Sequence, residues 1–438
     1  MNNENLAICN NELSHNLTDF NGITRNVKMY NCMYSQRLIS IPYSYGLRKY
    51  GYPKGFKYPS VKMSKKFIYY NPNIEIKPRD YQKKCFKAVI ESIKKKNTAL
   101  VELPTGAGKT FICLMVLVKL RTRTIVCVPN NTLAYQWIEE IHKITSGKRT
   151  VGINNPNVDI CISVINSLSL QKKISTQKYG FIIFDECHKY PTSRFGYILK
   201  HHRCKYSLGV TATIEREDGM DKLLKYLLSD VTFKMNSTYK GKTPIVYRYP
   251  FIPRGDPYSE PPKNESTNKL DYIKCQEILN TDTRRLRKII NLIKVIYPTR
   301  QKILVITREC EYIDLIAGKL DKTHYNYCKL YKGELSVQEA REYKMILATR
   351  SSGSVGMDIK DLDTLILTCS FKPGDTSSSL IQVVGRILRK NHKTNPLIFD
   401  IQDQWIFYKY HGIKRNEFYK KRGYKIKKYQ KKYFQNKK

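Results

Sequence analysis

The sequence contains no Cys-x-x-Cys pair, although it has 12 cysteines spread along the chain. Zinc sites and redox motifs need closely paired cysteines, so we expect reduced thiols in an intracellular protein. His201 and His202 lie near Cys204 without further ligands at metal-binding spacing, and we interpret them as ordinary histidines. Long apolar runs are also missing, because residues 111–118 fall far short of the roughly 20 needed to span a bilayer. We expect a soluble protein with no signal peptide and no membrane contact.

Acidic residues are scarce. The 438-residue chain has 37 Asp and Glu against 78 Lys and Arg, so its formal net charge is 78 − 37 = +41. An excess of this size predicts a polyanionic partner, and nucleic acid is the first candidate. Lys, Asn, Ile and Tyr abound along the whole chain, as an AT-rich genome would produce, so local charge clusters carry more information than the total. The length exceeds what one hydrophobic core usually supports and predicts two or three domains.

A glycine-rich segment lies between an apolar strand predicted at residues 98–103 and a helix predicted at residues 111–120. In such a turn, backbone N–H groups and the positive helix end hold a phosphate, Lys109 reaches the β- and γ-phosphates, and the Thr110 hydroxyl binds Mg²⁺. Leu103 stands where the general phosphate-loop pattern has glycine. The segment predicts an ATP·Mg²⁺ site whose nucleotide contacts are Thr105, Gly106, Ala107, Gly108, Lys109 and Thr110.

Two further segments complete the predicted nucleotide site. Upstream, the amide of Gln82 can pair with an adenine edge, and Arg79 can stack on the ring. Downstream, Asp185 and Glu186 end an apolar run, with His188 following. We predict that Asp185 holds Mg²⁺ and that Glu186 orients and deprotonates the attacking water. This acid pair, added to Lys109 in the expected order, predicts hydrolysis of the nucleotide.

Short β-rich runs alternate with helical segments in both halves of the chain, which predicts α/β domains with parallel sheets covered by helices on both faces. In the first half the runs are residues 124–128, 158–164, 181–184 and 206–210. In the second half they are residues 302–307, 345–348, 364–368 and 396–401, after a basic helix at residues 282–296. Prolines and glycines mark a connector between the halves. The predicted organisation is an N-terminal accessory region (1–76), a first domain (77–236), a linker (237–270), a second domain (271–401) and a basic tail (402–438).

The second half has no phosphate loop of its own. It contains Gly356 and Asp358, and later the pattern Gln-x-x-Gly-Arg-x-x-Arg with Gln382, Arg386 and Arg389. Arginines three apart on a helix share one face, and their guanidinium groups can stabilise charge on a γ-phosphate.

Tyrosines alternate with basic residues near both ends of the chain. Around Tyr43, Tyr45 and Tyr52 they could contact a single strand or cover the neighbouring domain, and we favour the second interpretation. The role of residues 1–76 is not evident from the sequence. In the tail, tyrosines and lysines are interleaved as a nucleic-acid arm would require. Trp137, near the predicted strand exit at residues 129–133, is expected in the core.

In order, these motifs and the step Thr211-Ala212-Thr213 resemble a DExH-box helicase of superfamily 2 over residues 77–424. The Arg216-Glu217-Asp218-Gly219 segment is similar to the XPB branch, and residues 382–390 and 414–421 look like the helicases of large cytoplasmic DNA viruses, among them a poxvirus helicase that releases transcripts. The resemblance implies two RecA-like domains with ATP hydrolysed at their interface, and movement along DNA in the 3′ to 5′ direction. It also implies work with a viral RNA polymerase or transcription factors, in the host cytoplasm and the virion.

In this family, Arg386 and Arg389 act on the γ-phosphate, and His188 and Gln382 link the nucleotide site to the nucleic-acid strand. The resemblance also implies that Gly356 and Asp358 belong to the nucleotide-binding residues. Other interpretations stay open: a duplex DNA translocase that does not separate strands, an RNA helicase, or a restriction-type motor subunit. From a different class, the chain could be a nucleic-acid-binding subunit of a polymerase complex that hydrolyses no nucleotide.

Overall fold

The computed structural model describes residues 3–18, 24–52, 54, 61–63, 77–104, 106–144, 151–155, 157–165, 179–192, 196–216, 218–235, 241–265, 268–331, 337–354, 359, 361–370, 378–388, 392, 394–431 and 434. The chain divides into two compact units, Met1–Thr238 and Tyr239–Lys438. No described helix is both long and apolar enough to cross a membrane.

The first unit begins with two small antiparallel hairpins and continues as an alternating α/β fold. Its elements are α1 (Asn3–Glu12), β1 (Ser14–Thr18), β2 (Thr24–Lys28), β3 (Asn31–Met33), β4 (Leu38–Ser40), α2 (Tyr43–Tyr50), α3 (Asp80–Lys96), β5 (Thr98–Glu102), α4 (Lys109–Leu120), β6 (Thr124–Val128), α5 (Asn131–Ile144), β7 (Val151–Ile153), β8 (Ile160–Val164), β9 (Phe181–Asp185), α6 (Gly196–His201), β10 (Tyr206–Thr211), α7 (Asp221–Leu227) and β11 (Val231–Lys234).

Seven strands of this unit form one parallel sheet in the order β11-β5-β10-β9-β6-β8-β7. Alternate residues of each central strand enter different cores: Leu100 packs on one side of the sheet, and Ala99 and Val101 on the other. Both faces are covered, which is why these strands are apolar at every position instead of at every second one. Parallel strands bring their carboxyl ends to one edge, and that edge carries the candidate site.

The N-terminal segment covers one face of the first sheet. Its buried residues join the same core cluster as strands β5 and β9; they include Leu13, Met29 and Tyr45. The expectation that these tyrosines cover the neighbouring domain fits Tyr45, which is 3% exposed, but not Tyr52, which is 55% exposed. The segment therefore belongs to the first compact unit and is not a separate body.

The second unit is another alternating α/β fold. Its elements are β12 (Ile245–Phe251), α8 (Tyr272–Thr281), α9 (Thr283–Ile296), β13 (Ile303–Thr307), α10 (Cys310–Ala317), β14 (Tyr327–Leu330), α11 (Val337–Ala340), β15 (Met345–Thr349), α12 (Arg350–Ser354), β16 (Thr364–Leu367), α13 (Ser378–Arg386), β17 (Leu397–Asp403), α14 (Ile406–Lys421) and β18 (Lys425–Lys428). Seven strands pair in parallel in the order β14-β15-β13-β16-β17-β12-β18. The predicted fold class, two tandem RecA-like α/β domains, is confirmed.

Two segments differ from their composition-based interpretations. The proline-rich linker contains β12, which pairs with β17 along its whole length, and Pro250 lies beyond the four residues that pair with β18. A proline is tolerated there because one side of the strand has no partner strand to bond. The basic tail contributes α14 and the edge strand β18 to the second unit. Most of its described lysines are exposed, among them Lys409 and Lys420, while Tyr408 and Tyr419 are buried.

Candidate nucleotide site

The phosphate loop lies at the carboxyl end of β5. That strand ends at Glu102, helix α4 begins at Lys109, and between them Gly106 and Gly108 have left-handed φ angles of 81° and 76°. Glycine adopts this conformation without steric cost. Space is also restricted at Gly108, where an added Cβ would come within 2.5 Å of Nε2 of Gln82. The backbone conformation therefore favours glycine at position 108, and a larger residue would also have to displace the side-chain amide of Gln82.

Gln82 is bonded to this loop. Its Nε2 donates to the Ala107 carbonyl at 3.1 Å, and its Oε1 accepts from the Arg79 backbone N–H at 2.9 Å. The Tyr81 hydroxyl donates to the same Ala107 carbonyl at 3.0 Å. The prediction that Gln82 belongs to the nucleotide site stays a prediction. The structure places it beside the loop, where these two bonds use half of the hydrogen-bonding capacity of its amide.

The two predicted carboxylates follow β9. Asp185 ends the strand, and Glu186 has a left-handed φ of 50°, which is unfavourable for a residue other than glycine and concentrates at functional sites. The turn brings Oε1 of Glu186 within 3.9 Å of Nζ of Lys109, which also lies 3.4 Å from the Leu103 carbonyl oxygen. The structure thus brings together the lysine and the acid that the sequence predicted to act on one phosphate.

Both oxygens of Asp185 accept hydrogen bonds. Oδ2 accepts from the indole Nε1 of Trp137 at 2.8 Å, and Oδ1 accepts from the Glu186 backbone N–H at 3.0 Å. Trp137 is 1% exposed, so its expected core position is confirmed. Sequence reasoning missed its bond to Asp185. The signal available was the polar indole N–H of an otherwise apolar helix face, because a buried tryptophan needs an acceptor.

The protonation of Asp185 is sensitive to this environment. Burial, and then the adjacent Glu186 charge, raise the pKa of Asp185 to about 6, although the Trp137 hydrogen bond and the Lys109 charge act in the opposite direction. Since the folded-state pKa lies above the ordinary value of about 4, protonation favours the folded chain. That contribution to stability is complete below about pH 4 and is lost as the pH rises through about 6.

A Trp137→Phe variant is expected to raise the pKa of Asp185 further, because it removes a hydrogen bond to the ionised form. The acid limb of the pH profile for ATP hydrolysis, measured at subsaturating Mg²⁺, should move to higher pH by about half a unit or more. A Tyr135→Phe variant, on the exposed side of the same helix, is the control. An unchanged acid limb in both variants would contradict a role for Trp137 in ionising Asp185.

A buried polar cluster connects Glu186 to strand β10. Nδ1 of His188 lies 2.7 Å from Oγ1 of Thr211 and 3.4 Å from Oε2 of Glu186, and the Thr211 hydroxyl donates to the Thr213 carbonyl at 2.8 Å. Burial lowers the pKa of His188 to about 4, so the ring is neutral at neutral pH. The backbone N–H of Leu103 donates to the Thr211 carbonyl at 2.9 Å. The end of β10 is therefore bonded both to the acid pair and to the phosphate loop.

Arg216 extends this cluster to the N-terminal hairpin. One guanidinium nitrogen donates to the His188 carbonyl, and Nε donates to the Asp218 carboxylate at 2.8 Å. The Asp218 carbonyl oxygen lies 2.7 Å from Nε2 of His15 on β1. Glu217, between these residues, lies outside the described part of the chain.

The predicted residues of the second unit are only partly described. Gln382 and Arg386 lie one turn apart on α13 and are 5% and 4% exposed. This helix ends at Arg386, so the prediction of a helix that continues to the second arginine differs from the structure, in which residues 387–388 form a turn. Four predicted site residues fall outside the described residues: Thr105, Gly356, Asp358 and Arg389.

A glycine loop at the end of a parallel strand, with a lysine facing an adjacent pair of strand-end carboxylates, defines a phosphate-loop nucleotide hydrolase.

Comparison with known proteins indicates which kind of nucleotide hydrolase this chain resembles. The family model for the res subunit of type III restriction enzymes matches residues 75–216. The chain is 26% identical over 410 residues to the "Putative ATP-dependent RNA helicase L396" of Acanthamoeba polyphaga mimivirus, covering 89% of this chain and 76% of the relative.

Two other similarities concern a sequence relative and the fold. The DNA 3′-5′ translocase XPB2 of Sulfurisphaera tokodaii is 24% identical over 368 residues, covering 74% of this chain and 81% of the relative. A fragment structure of a putative HsdR subunit of a type I restriction enzyme from Vibrio vulnificus shares the fold, with a TM-score of 0.53, 17% identity, and coverage of 74% of this chain and 64% of that one. These matches are all to superfamily 2 helicases, so the chain is similar to ATP-dependent enzymes of that class over most of its length.

Proposed function

We propose that the protein is an ATP-driven motor that moves along DNA in the 3′ to 5′ direction. The observation that carries this proposal is the bonded path from the phosphate loop through Thr211 to His188 and Glu186. Through such a path, a change at the phosphate loop on hydrolysis can shift the end of strand β10. An enzyme that hydrolysed nucleotide without coupling it to a partner would not need it.

The residues of the loop and of β9 fit ATP with Mg²⁺. Thr110 and Asp185 offer a hydroxyl and a carboxylate, the oxygen ligands that Mg²⁺ prefers while it keeps several waters. When bound, the ion neutralises charge on the β- and γ-phosphates. Lys109 would contact the same phosphates, and Glu186 would orient the attacking water and take its proton.

Arg386 and Arg389 would stabilise the charge that develops on the transferred phosphoryl group, since planar guanidinium donors suit this task. Gln382, Gly356 and Asp358 would belong to the same nucleotide-binding residues of the second unit. Arg79 and Gln82 would contact the adenine ring. These assignments follow from the superfamily pattern at these positions.

DNA is favoured over RNA by the Arg216-Glu217-Asp218 segment, which is similar to the XPB branch, and by the archaeal relative named as a DNA translocase. The viral relative is named as an RNA helicase, so RNA is the second candidate substrate. The formal net charge of +41 suits either polyanion. For the biological role, we propose transcript release with a viral RNA polymerase, on the similarity to viral helicases.

The test is ATP turnover by the full-length protein with no nucleic acid, single-stranded DNA, duplex DNA or RNA. We expect DNA to stimulate turnover at least tenfold more than RNA of the same length and sequence. Displacement of oligonucleotides from substrates with only a 3′ or only a 5′ tail then reports direction, and triplex displacement reports movement along a duplex. Stimulation by RNA alone would contradict the DNA assignment, and turnover unaffected by any nucleic acid would contradict the motor.

A Thr211→Val variant should separate hydrolysis from its coupling to nucleic acid. It preserves the side-chain shape but removes the hydroxyl that lies 2.7 Å from His188. We expect basal turnover to fall by less than threefold and stimulation by DNA to fall by about tenfold, which corresponds to one buried hydrogen bond of about 1.4 kcal/mol.

Thr124→Val is the matched control, because Thr124 is equally buried in the same sheet but begins β6 instead of ending β10. Equal effects of the two valine variants would show that Thr211 contributes only to the stability of the sheet.

A further inference from the structure

A cavity lies in the first unit, at the opposite end of its sheet from the phosphate loop. Its volume is about 500 Å³, within the range of small-molecule sites. It is lined by the first residue of β5, Thr98, and by Ser207 near the start of β10. These strands are five and six residues long, so roughly 15 Å separates this end from the phosphate loop. The cavity is therefore not part of the nucleotide site.

The lining of this cavity is strongly basic. Six cationic side chains reach it from α2, the end of α3, the start of β10 and α7. Among the described lining residues Glu12 and Asp230 are the acids that oppose them, for a local balance of 6 − 2 = +4. The cations are Arg48, Lys49, Lys95, Lys96, Lys205 and Lys225. Two lysines at the end of α3 suit the helix dipole, but the dipole does not explain cations that converge from three other elements. We call this set the basic cavity.

Arg48 is held in place in the wall of the basic cavity. One of its guanidinium nitrogens donates to the Tyr226 carbonyl near the end of α7, while Nη1 is buried without a hydrogen-bond partner among the described residues. Beside it, the Ser44 hydroxyl donates to the Leu227 carbonyl at 2.9 Å. Arg48 therefore holds a positive charge at a fixed place in the wall, and phosphate is an anion that guanidinium groups match well.

Four tyrosines also line the cavity. Tyr43, Tyr45, Tyr52 and Tyr226 line it, and Tyr52 is 55% exposed. Tyr45 and Tyr226 meet edge to face with centroids 6.5 Å apart. Aromatic faces next to cations are the surface on which single nucleotides bind, with the base stacked and the phosphate paired.

We propose that the basic cavity is a second ligand site that binds a nucleoside monophosphate unit, either free or within a single strand of nucleic acid. This proposal rests on the proposed function only because it names nucleic acid as one source of the nucleoside monophosphate. In the bound state the phosphate faces Arg48, Lys96 and Lys205, and the base lies against the exposed ring of Tyr52. The site gives the N-terminal segment a binding role in addition to covering the sheet.

The test uses the full-length chain with Lys109→Ala in every sample, so that the phosphate loop does not compete for the probes. The Lys96→Glu/Lys205→Glu double variant is compared with Lys87→Glu/Lys94→Glu, which makes the same charge change at exposed positions on α3 outside the cavity. The probes are fluorescein-labelled dT12, followed by anisotropy, and AMP, followed by calorimetry.

We expect the cavity variant to bind at least one probe about tenfold or more weakly than the control variant. For dT12, the slope of log affinity against log salt should also fall by about two, one for each lysine removed from a phosphate. Loss of AMP binding assigns the site to a free nucleotide, and loss confined to dT12 assigns it to a strand. Equal binding by both variants overturns the proposal, as does competition by polyglutamate as strong as that by unlabelled dT12.

A second pair of variants tests the proposal independently, in case the double variant does not fold. Tyr52→Ala removes the exposed ring from the cavity, and Tyr135→Ala removes a ring of similar exposure (61%) from α5. The first should weaken probe binding about tenfold and the second should not. Both measurements are independent of turnover. A protein without nucleic-acid-stimulated ATPase that still binds AMP here would refute the motor and leave this site standing.

Discussion

A Lys109→Ala variant is expected to lose ATP turnover by about a thousandfold, because it removes the side-chain cation that the structure places 3.9 Å from Glu186 at the phosphate loop. Charge stabilisation of the transferred phosphoryl group supplies most of the catalysis in this kind of reaction. The defect should appear in kcat, whereas binding of nucleic acid should change little. Turnover is measured by phosphate release with saturating DNA, and DNA binding by anisotropy.

The control for this prediction is Lys119→Ala, which removes an exposed lysine from the last turn of the same helix. Glu186→Gln should match the Lys109 variant in turnover, since the amide keeps the size of the side chain but cannot accept the proton of the attacking water. Turnover within about threefold of the unmodified protein in either site variant would refute the assignment of the nucleotide site.

The central strands could be predicted closely from the sequence, because strands buried on both faces are apolar at every position. Strand β6 spans the predicted residues, and β9 and β10 extend the predicted runs by one residue each. Edge strands gave no such signal. β18 reads Lys-Ile-Lys-Lys, and three of its four residues are exposed, so its sequence is that of a solvated tail. What makes it a strand is pairing with β12, which no local pattern reveals.

The candidate site was predictable in its residue types but not in its supporting bonds. The loop and the acid pair are recognisable because each is a short segment of chemically specific residues. The Trp137 bond to Asp185 and the contact of His15 with Asp218 join residues 48 and 203 positions apart. Such contacts depend on how helices and hairpins pack on the sheet. The local pattern of apolar and polar residues within one helix or strand does not contain that information.

The second unit contains a buried ion pair whose loss should cost more stability than any surface change. Arg285 is 0% exposed; its Nε donates to Oδ1 of Asp403 at 2.7 Å, and its other nitrogens bond to Oδ2 of Asp403, the Tyr312 hydroxyl and the Thr368 carbonyl. These bonds tie α9 to β17 and α10. Removing one partner of such a pair leaves an uncompensated buried charge.

We therefore expect Arg285→Leu to lower the free energy of unfolding of the second sheet by about 3–5 kcal/mol. Hydrogen exchange of the amides of β13 and β17 in the full chain measures this, because their protection reports the opening of that sheet. Arg284→Leu is the matched control: the adjacent arginine is 51% exposed in its side chain and pairs with Asp282 at the helix start, where water can replace the lost contact. Protection of β17 that falls equally in the two variants would mean that the buried pair contributes no more than an exposed one. An Arg285→Leu/Asp403→Leu double variant should recover much of the loss, since an apolar pair leaves no buried charge unpaired.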